Sequence, residues 1–236
     1  MQTMQRKLVI SSSPHLRNTT VSTRSIMGDV CIALLPTLIA SCWFFGLRSL
    51  ILCLVAVASA VFAEFIWQRH SKRHTSIGDL SAVVTGLLVA FNIPASAPWW
   101  VAAMGSFLAI WLVKQMFGGL GQNFLNPALA ARTILMLSWT ALMAAKALPD
   151  AGNWLAGLIG PDVESASSAT ALTVDAVSVA TPLSASASGY TLWQLFSGDV
   201  PGMLGETCKL TLLLGGVYLI VRNVIDGRVP VFFIGT

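Results

Sequence analysis

The sequence predicts an all-α polytopic membrane protein, a helical bundle in which some spans are broken, and three observations carry that prediction. The 236-residue chain is 55% hydrophobic and only 10% charged, whereas soluble domains carry about 25% charged residues. Its apolar residues fall into blocks near the ~20 residues needed to cross ~30 Å of hydrocarbon at ~1.5 Å per residue. Glycine- and proline-rich stretches interrupt the pattern at Pro94 and over 118–127. Irregular backbone at membrane depth survives only where protein or a watery cavity covers it.

Each element follows in order. Residues 1–27 form a polar, basic N-terminal arm without the apolar core and small-residue cleavage site of a signal peptide. Spans 1 to 5 are expected within 28–145: 28–46, 49–67, a short 79–93 stopped by Pro94, 98–117 opened by Trp99 and Trp100, and 127–145. Paired tryptophans mark a membrane–water interface. Residues 146–204 contain no apolar run of spanning length and read as an extracytoplasmic segment; 205–236 hold span 6, at 205–222, and the start of a seventh at Val229. "VPVFFIGT" is too short to cross a bilayer, so either the tail folds back at the interface or, as is expected, the sequence is truncated at its C-terminus relative to its natural product.

The Lys/Arg bias of the short loops sets orientation. Arg6, Lys7, Arg17 and Arg24, the loop Arg69, Lys72 and Arg73, then Lys114, Arg222 and Arg228 share one side if six spans alternate. That side is cytoplasmic and includes the N-terminus. Arg48, Lys146 and the acids Asp150, Asp162, Glu164, Asp175, Asp199 and Glu206 fall on the other. The net charge of +4 is thereby a matter of topology, and no aromatic-interleaved basic groove argues for nucleic acid. Cys31, Cys42, Cys53 and Cys208 lie in spans with no C-x-x-C pair and read as small hydrophobes. His70 and His74 have helical metal-ligand spacing, but Arg69, Lys72 and Arg73 oppose a cation there, so no metal is expected.

Two stretches invite chemistry. "GGLGQNFLNPALAAR", 118–132, cannot form an uninterrupted helix cheaply, since Gly costs about 1 kcal/mol and Pro about 3 in a helix interior. Interrupted spans mark binding sites in transporter-type folds, and Pro127 suits a first helical turn whose free N–H groups face an anion or a polar ring edge. A tight turn between spans 4 and 5 would use the same residues. Arg132, one turn inside span 5, either snorkels to carbonyls or pairs with a cofactor's phosphate or carbonyl oxygen. Asp29, Glu64 and Asp79 are expected at span ends, where solvation suffices. The second stretch is "VDAVSVATPL", 174–183. By composition it is a flexible loop, and Thr181 has no base beside it that would make it a nucleophile.

The blocks "ISSSPHLRNTTVSTRSIMGDV", "DLSAVVTGLLVAFNIPASAPWW", "KQMFGGLGQNFLNPALAARTIL" and "VDAVSVATPL" occur in one order over nearly the whole chain. Together they closely resemble the D-subunit family of Rnf electron-transport complexes, which is related to the B component of the sodium-pumping NADH:quinone oxidoreductase. The resemblance implies a membrane subunit of an ion-translocating ferredoxin:NAD+ oxidoreductase-type complex in the bacterial inner membrane, with a urea-channel-like half to its fold. It implies FMN joined through its phosphate to Thr181 by a flavin transferase that reads Asp-x-x-Ser/Thr-Gly-Ala-Thr. Asp175, Ser178, Ala180 and Thr181 match that pattern, and Val179 stands where Gly is typical. Riboflavin near the broken helices is a further implied cofactor, with Asn123, Asn126 and Arg132 as its environment. The implied partners are the other Rnf subunits, which would supply NAD and iron–sulfur sites, together with the transferase and membrane lipid. No catalytic side chain is expected in this chain. The alternative is a channel or secondary transporter of urea-channel-like fold without a redox cofactor.

Overall fold

The computed structural model describes residues 22–71, 77–144, 191–198, 202–206 and 208–235. Helix α1 (Thr23–Phe45) opens on Ser22, whose side chain accepts from Ser25 N at 3.2 Å, and α2 (Leu47–His70) follows after one residue. At 23 and 24 residues both are long and apolar enough to cross a membrane, each spanning roughly 35 Å by helical rise. A short 3-10 turn (Ile77–Asp79) leads into α3 (Ser81–Phe91). Helix α3 has only 11 residues: Leu80 before it is left-handed at φ 64°, and Pro94 lies just beyond its end. Roughly 16 Å of helix cannot cross a bilayer. Span 3 is thus a half-helix ending inside the bundle.

Helix α4 (Trp99–Leu108) runs on into a π-helix (Ala109–Gln115). Helix α5 (Pro127–Ser138) begins where Asn126 accepts from Ala128 N at 3.0 Å, with Pro127 in the first turn, a position at which the missing proline N–H costs nothing. The continuous helix expected over 127–145 is instead broken at Trp139 (φ −133°, ψ 59°), and a short α6 (Thr140–Ala144) follows. The Trp139 ring packs edge-on against Trp100, centroids 5.4 Å apart, and that aromatic contact accompanies the break. Helix α7 (Leu192–Ser197) opens on a capping box between Thr191 and Gln194; α8 (Lys209–Val221) and α9 (Arg228–Gly235) complete the order.

Helix α2 is the axis of the bundle, touching α1, α3, α4 and the π segment, while α8 packs on α1. Lipid tails are as apolar as the helices, so close packing of small residues has to hold them together. Ala56, Ala60 and Ala63 are completely buried along α2, and Gly86 of α3 lies so near that a Cβ would sit 2.8 Å from Val57 Cα. Outward residues such as Ile39, Leu54 and Phe62 are at least 60% exposed. An apolar exterior around an alanine-lined interior is how an all-α membrane protein divides its residues.

Candidate functional site

Where α3 stops, its backbone groups need partners from elsewhere. The segment 202–206 supplies them: Leu204 N donates to Ile93 O at 3.2 Å and Gly205 N to Phe91 O at 3.0 Å, with an antiparallel bridge between Pro94 and Met203. Ser41 Oγ on α1 donates to Leu204 O at 2.6 Å. Any side chain at 205 would place its Cβ 2.5 Å from Phe91 Cβ, so only glycine lets the segment approach. On the turn that follows, Arg132 Nη1 of α5 donates to Asn92 Oδ1 (2.9 Å) and Glu206 Oε1 (3.0 Å), and Arg48 Nη2 of α2 donates to Ser96 O (2.7 Å) and Ala97 O (3.1 Å). Five separate stretches of sequence meet there.

A second cluster lies at the opposite end of α3. Lys114 Nζ donates to both oxygens of Glu64 (3.0 and 3.1 Å) and to Ser81 Oγ (2.6 Å). Gln68 Nε2 and Gln115 Nε2 each donate to Glu64 Oε1 at 3.0 Å, and Ser81 Oγ donates to Asp79 Oδ1 at 2.6 Å. The π-helix turns Val113, Lys114 and Gln115 inward together, and such widened turns recur at functional sites. This corrects the expectation of solvated span ends: the Glu64 side chain is 0% and Lys114's 2% exposed. Asp29 is also mostly buried, accepting from Tyr218 Oη at 3.1 Å and Arg222 Nη2 at 3.2 Å.

Along the chain from Lys114 to Arg132 comes the turn 116–126, with Gly118, Gly119 and Gly121 at φ 116°, 102° and 87°, conformations that glycine adopts without steric cost. Asn123 places its amide nitrogen 3.3, 3.2 and 3.1 Å from the carbonyls of Val113, Lys114 and Gly119, and donating to them closes the end of the π-helix. A groove of about 620 Å³ opens beside this turn, walled by Leu112, Phe117, Phe124, Leu129 and Ile134, with Asn126 and Thr133 as its polar groups.

Sequence comparison matches the model of the NQR2, RnfD, RnfE family to residues 9–236. The chain belongs to that family. It is 43% identical to the D subunit of the Na(+)-translocating ferredoxin:NAD(+) oxidoreductase complex of Acetobacterium woodii, over 97% of this chain and 67% of that protein. It is 36% identical to the D subunit of the proton-translocating ferredoxin:NAD(+) oxidoreductase complex of Clostridium ljungdahlii, over 96% of this chain and 66% of that one. The D subunit of the ion-translocating oxidoreductase complex of Salmonella typhi is 35% identical, over 96% and 70%. The chain thus spans about two thirds of the length of these relatives.

In this member of the NQR2, RnfD, RnfE family, Asn126 and Thr133 face the groove, Asn123 holds the turn beside it, and Arg132 is engaged at the broken end of α3. Thr181, Asp175, Ser178 and Ala180 lie outside the described residues. The Glu64–Lys114 cluster was not anticipated. Its one sequence signal is the polar pair Glu64 and Gln68, four residues apart on one face of an otherwise apolar helix.

Proposed function

We propose that this family member is the membrane D subunit of an ion-translocating ferredoxin:NAD+ oxidoreductase-type complex, carrying FMN on Thr181 and relaying electrons in steps coupled to ion transport. The observation that carries the reading is the match along residues 9–236 to a family whose similar members bear that name. The ion differs between the two named relatives, Na+ in one and H+ in the other, so it is a property of each complex and is set by measurement.

The donor chemistry suits FMN. A phosphoester bond needs a hydroxyl acceptor on an accessible segment, because the transferase supplies the catalysis; Thr181 offers the hydroxyl, and Pro182 biases it to an extended conformation. FMN supplies the exchange of electrons once attached, and the protein sets its position and potential. The groove beside the 116–126 turn lies within the usual size of small-molecule sites, and its apolar walls with a single amide suit the flat ring of riboflavin. The chain sits in the bacterial inner membrane with its N-terminus cytoplasmic and Thr181 outside, among lipid and the other members of the complex that hold the NAD and iron–sulfur sites.

The test is direct. Denatured chain from transferase-competent cells fluoresces in a gel under ultraviolet light and carries the mass of one FMN, and Thr181→Ala gives a dark band at the bare mass. A wild-type chain without added mass sinks the redox reading. The half-helix α3 and the broken α5 favour one other reading, a channel or secondary transporter without cofactor. That reading predicts solute flux through purified chain in liposomes and the bare mass.

A further inference from the structure

Two arginines from different helices grip the 92–97 turn, and neither uses more than one nitrogen to do so. Arg48 binds Ser96 O and Ala97 O through Nη2 alone, and Arg132 binds Asn92 Oδ1 and Glu206 Oε1 through Nη1 alone. A guanidinium carries five N–H donors in a fixed planar fork. Arg48 therefore keeps Nε and Nη1, and Arg132 keeps Nε and Nη2, without a hydrogen bond among the described residues. Both side chains are half-buried.

The charge is also unfinished. Arg48's partners are neutral carbonyls, and the carboxylate in reach of Arg132, Glu206, is itself 51% exposed. The carboxyl end of α3 contributes a partial negative charge of about one half, less than one guanidinium. Arg132 is thus paired with one partly exposed carboxylate, while Arg48 brings a second positive charge to the same turn with no carboxylate in contact, so the turn as a whole carries more positive than negative charge. Lys114 offers the contrast: all three of its N–H donors have partners, and its cluster is closed.

Arg132 keeps the Nε–Nη2 edge of its fork open and can donate two parallel bonds to an oxyanion, whereas Arg48, with Nη2 engaged, offers single N–H donors from Nε and Nη1; phosphoryl groups are common partners of such donors. We infer that the 92–97 turn, with Arg48 and Arg132, is a receptor for a phosphoryl oxyanion. Two sources share this chemistry: the phosphoester of the flavin, which rests on the reading of Thr181 above, and an anionic lipid headgroup, which does not.

The experiment uses the full chain, made with and without the transferase, in neutral detergent. The 31P resonance of the threonine-linked phosphodiester is recorded, and native mass spectrometry compares retention of phosphatidylglycerol with phosphatidylcholine. If the flavin is the occupant, the resonance moves in Arg48→Gln and Arg132→Gln and the two lipids are retained equally. If lipid is the occupant, phosphatidylglycerol is preferred by roughly tenfold or more, as a charge-assisted pair gives, and the preference disappears in the same variants. Arg132→Lys keeps the charge but removes the fork and loses most of either signal, and Arg48→Lys and Arg132→Lys stand in for any Gln variant that fails to fold. An unmoved resonance together with no lipid preference, or a preference unchanged in the variants, overturns the receptor. A chain that carries no flavin sinks the functional reading alone, and the lipid comparison still decides this one.

Discussion

Glu64 and Lys114 show how much a single pair of side chains can hold in a membrane bundle. Their attraction is strong because both side chains are buried away from bulk solvent, and so is the penalty for leaving one of them behind. Glu64 accepts four hydrogen bonds from Lys114, Gln68 and Gln115, which replaces the hydration it lost. Removing one member of a buried pair costs about 3–5 kcal/mol, whereas replacing both by apolar groups of similar volume is often neutral. Glu64→Leu and Lys114→Met should each unfold in detergent well below wild type, and the double variant should recover most of the loss. A thiol-reactive dye that reports the exposure of buried Cys53 and Cys208 on heating measures this. Additive losses in the double variant would mean that the two residues do not act as a pair.

At the scale of elements, the interruptions matter more than the helices. Helix α5 starts at Asn126 because that side chain takes the Ala128 N–H; Asn126→Ala should cost about 1 kcal/mol of stability, and Asn126→Ser much less, by the same dye assay. The end of α3 survives at depth because residues 204 and 205 donate to the Ile93 and Phe91 carbonyls. Gly205→Ala drives a methyl into Phe91, and overpacking of this kind costs roughly 1–3 kcal/mol. Gly86→Ala meets Val57 Cα at 2.8 Å, and since neither that atom nor Phe91 Cβ moves with a side-chain rotamer, the two substitutions should be similarly damaging.

For the whole molecule, orientation is the property to measure. The Lys/Arg pattern predicts that the 71–76 loop is cytoplasmic and that residue 181 is on the other side. In a variant without its four native cysteines, Ser71→Cys should react with a membrane-impermeant maleimide only in inverted vesicles, and Ser184→Cys only in intact spheroplasts. Both reacting from one side would refute the alternation of spans. Much of the architecture was legible from the primary structure. Pro94 and the 118–127 run announced the breaks in α3 and before α5, and the alanine- and leucine-rich blocks announced the helices. The break at Trp139 was not legible, because no glycine or proline marks it; an aromatic contact with Trp100, 39 residues earlier, accompanies it.

The order of residues by itself determined the class of the molecule, its family and the Asp175–Thr181 pattern, because hydropathy, loop charge and local motifs are properties of neighbours along the chain. Only the tertiary structure decided which charges are paired. Glu64 and Lys114 are 50 positions apart, and Arg132 reaches Asn92 and Glu206 across 40 and 74. In hydrocarbon a charge at a given position is tolerated or excluded according to what meets it from another helix, and that partner is a fact of packing that sequence proximity does not contain.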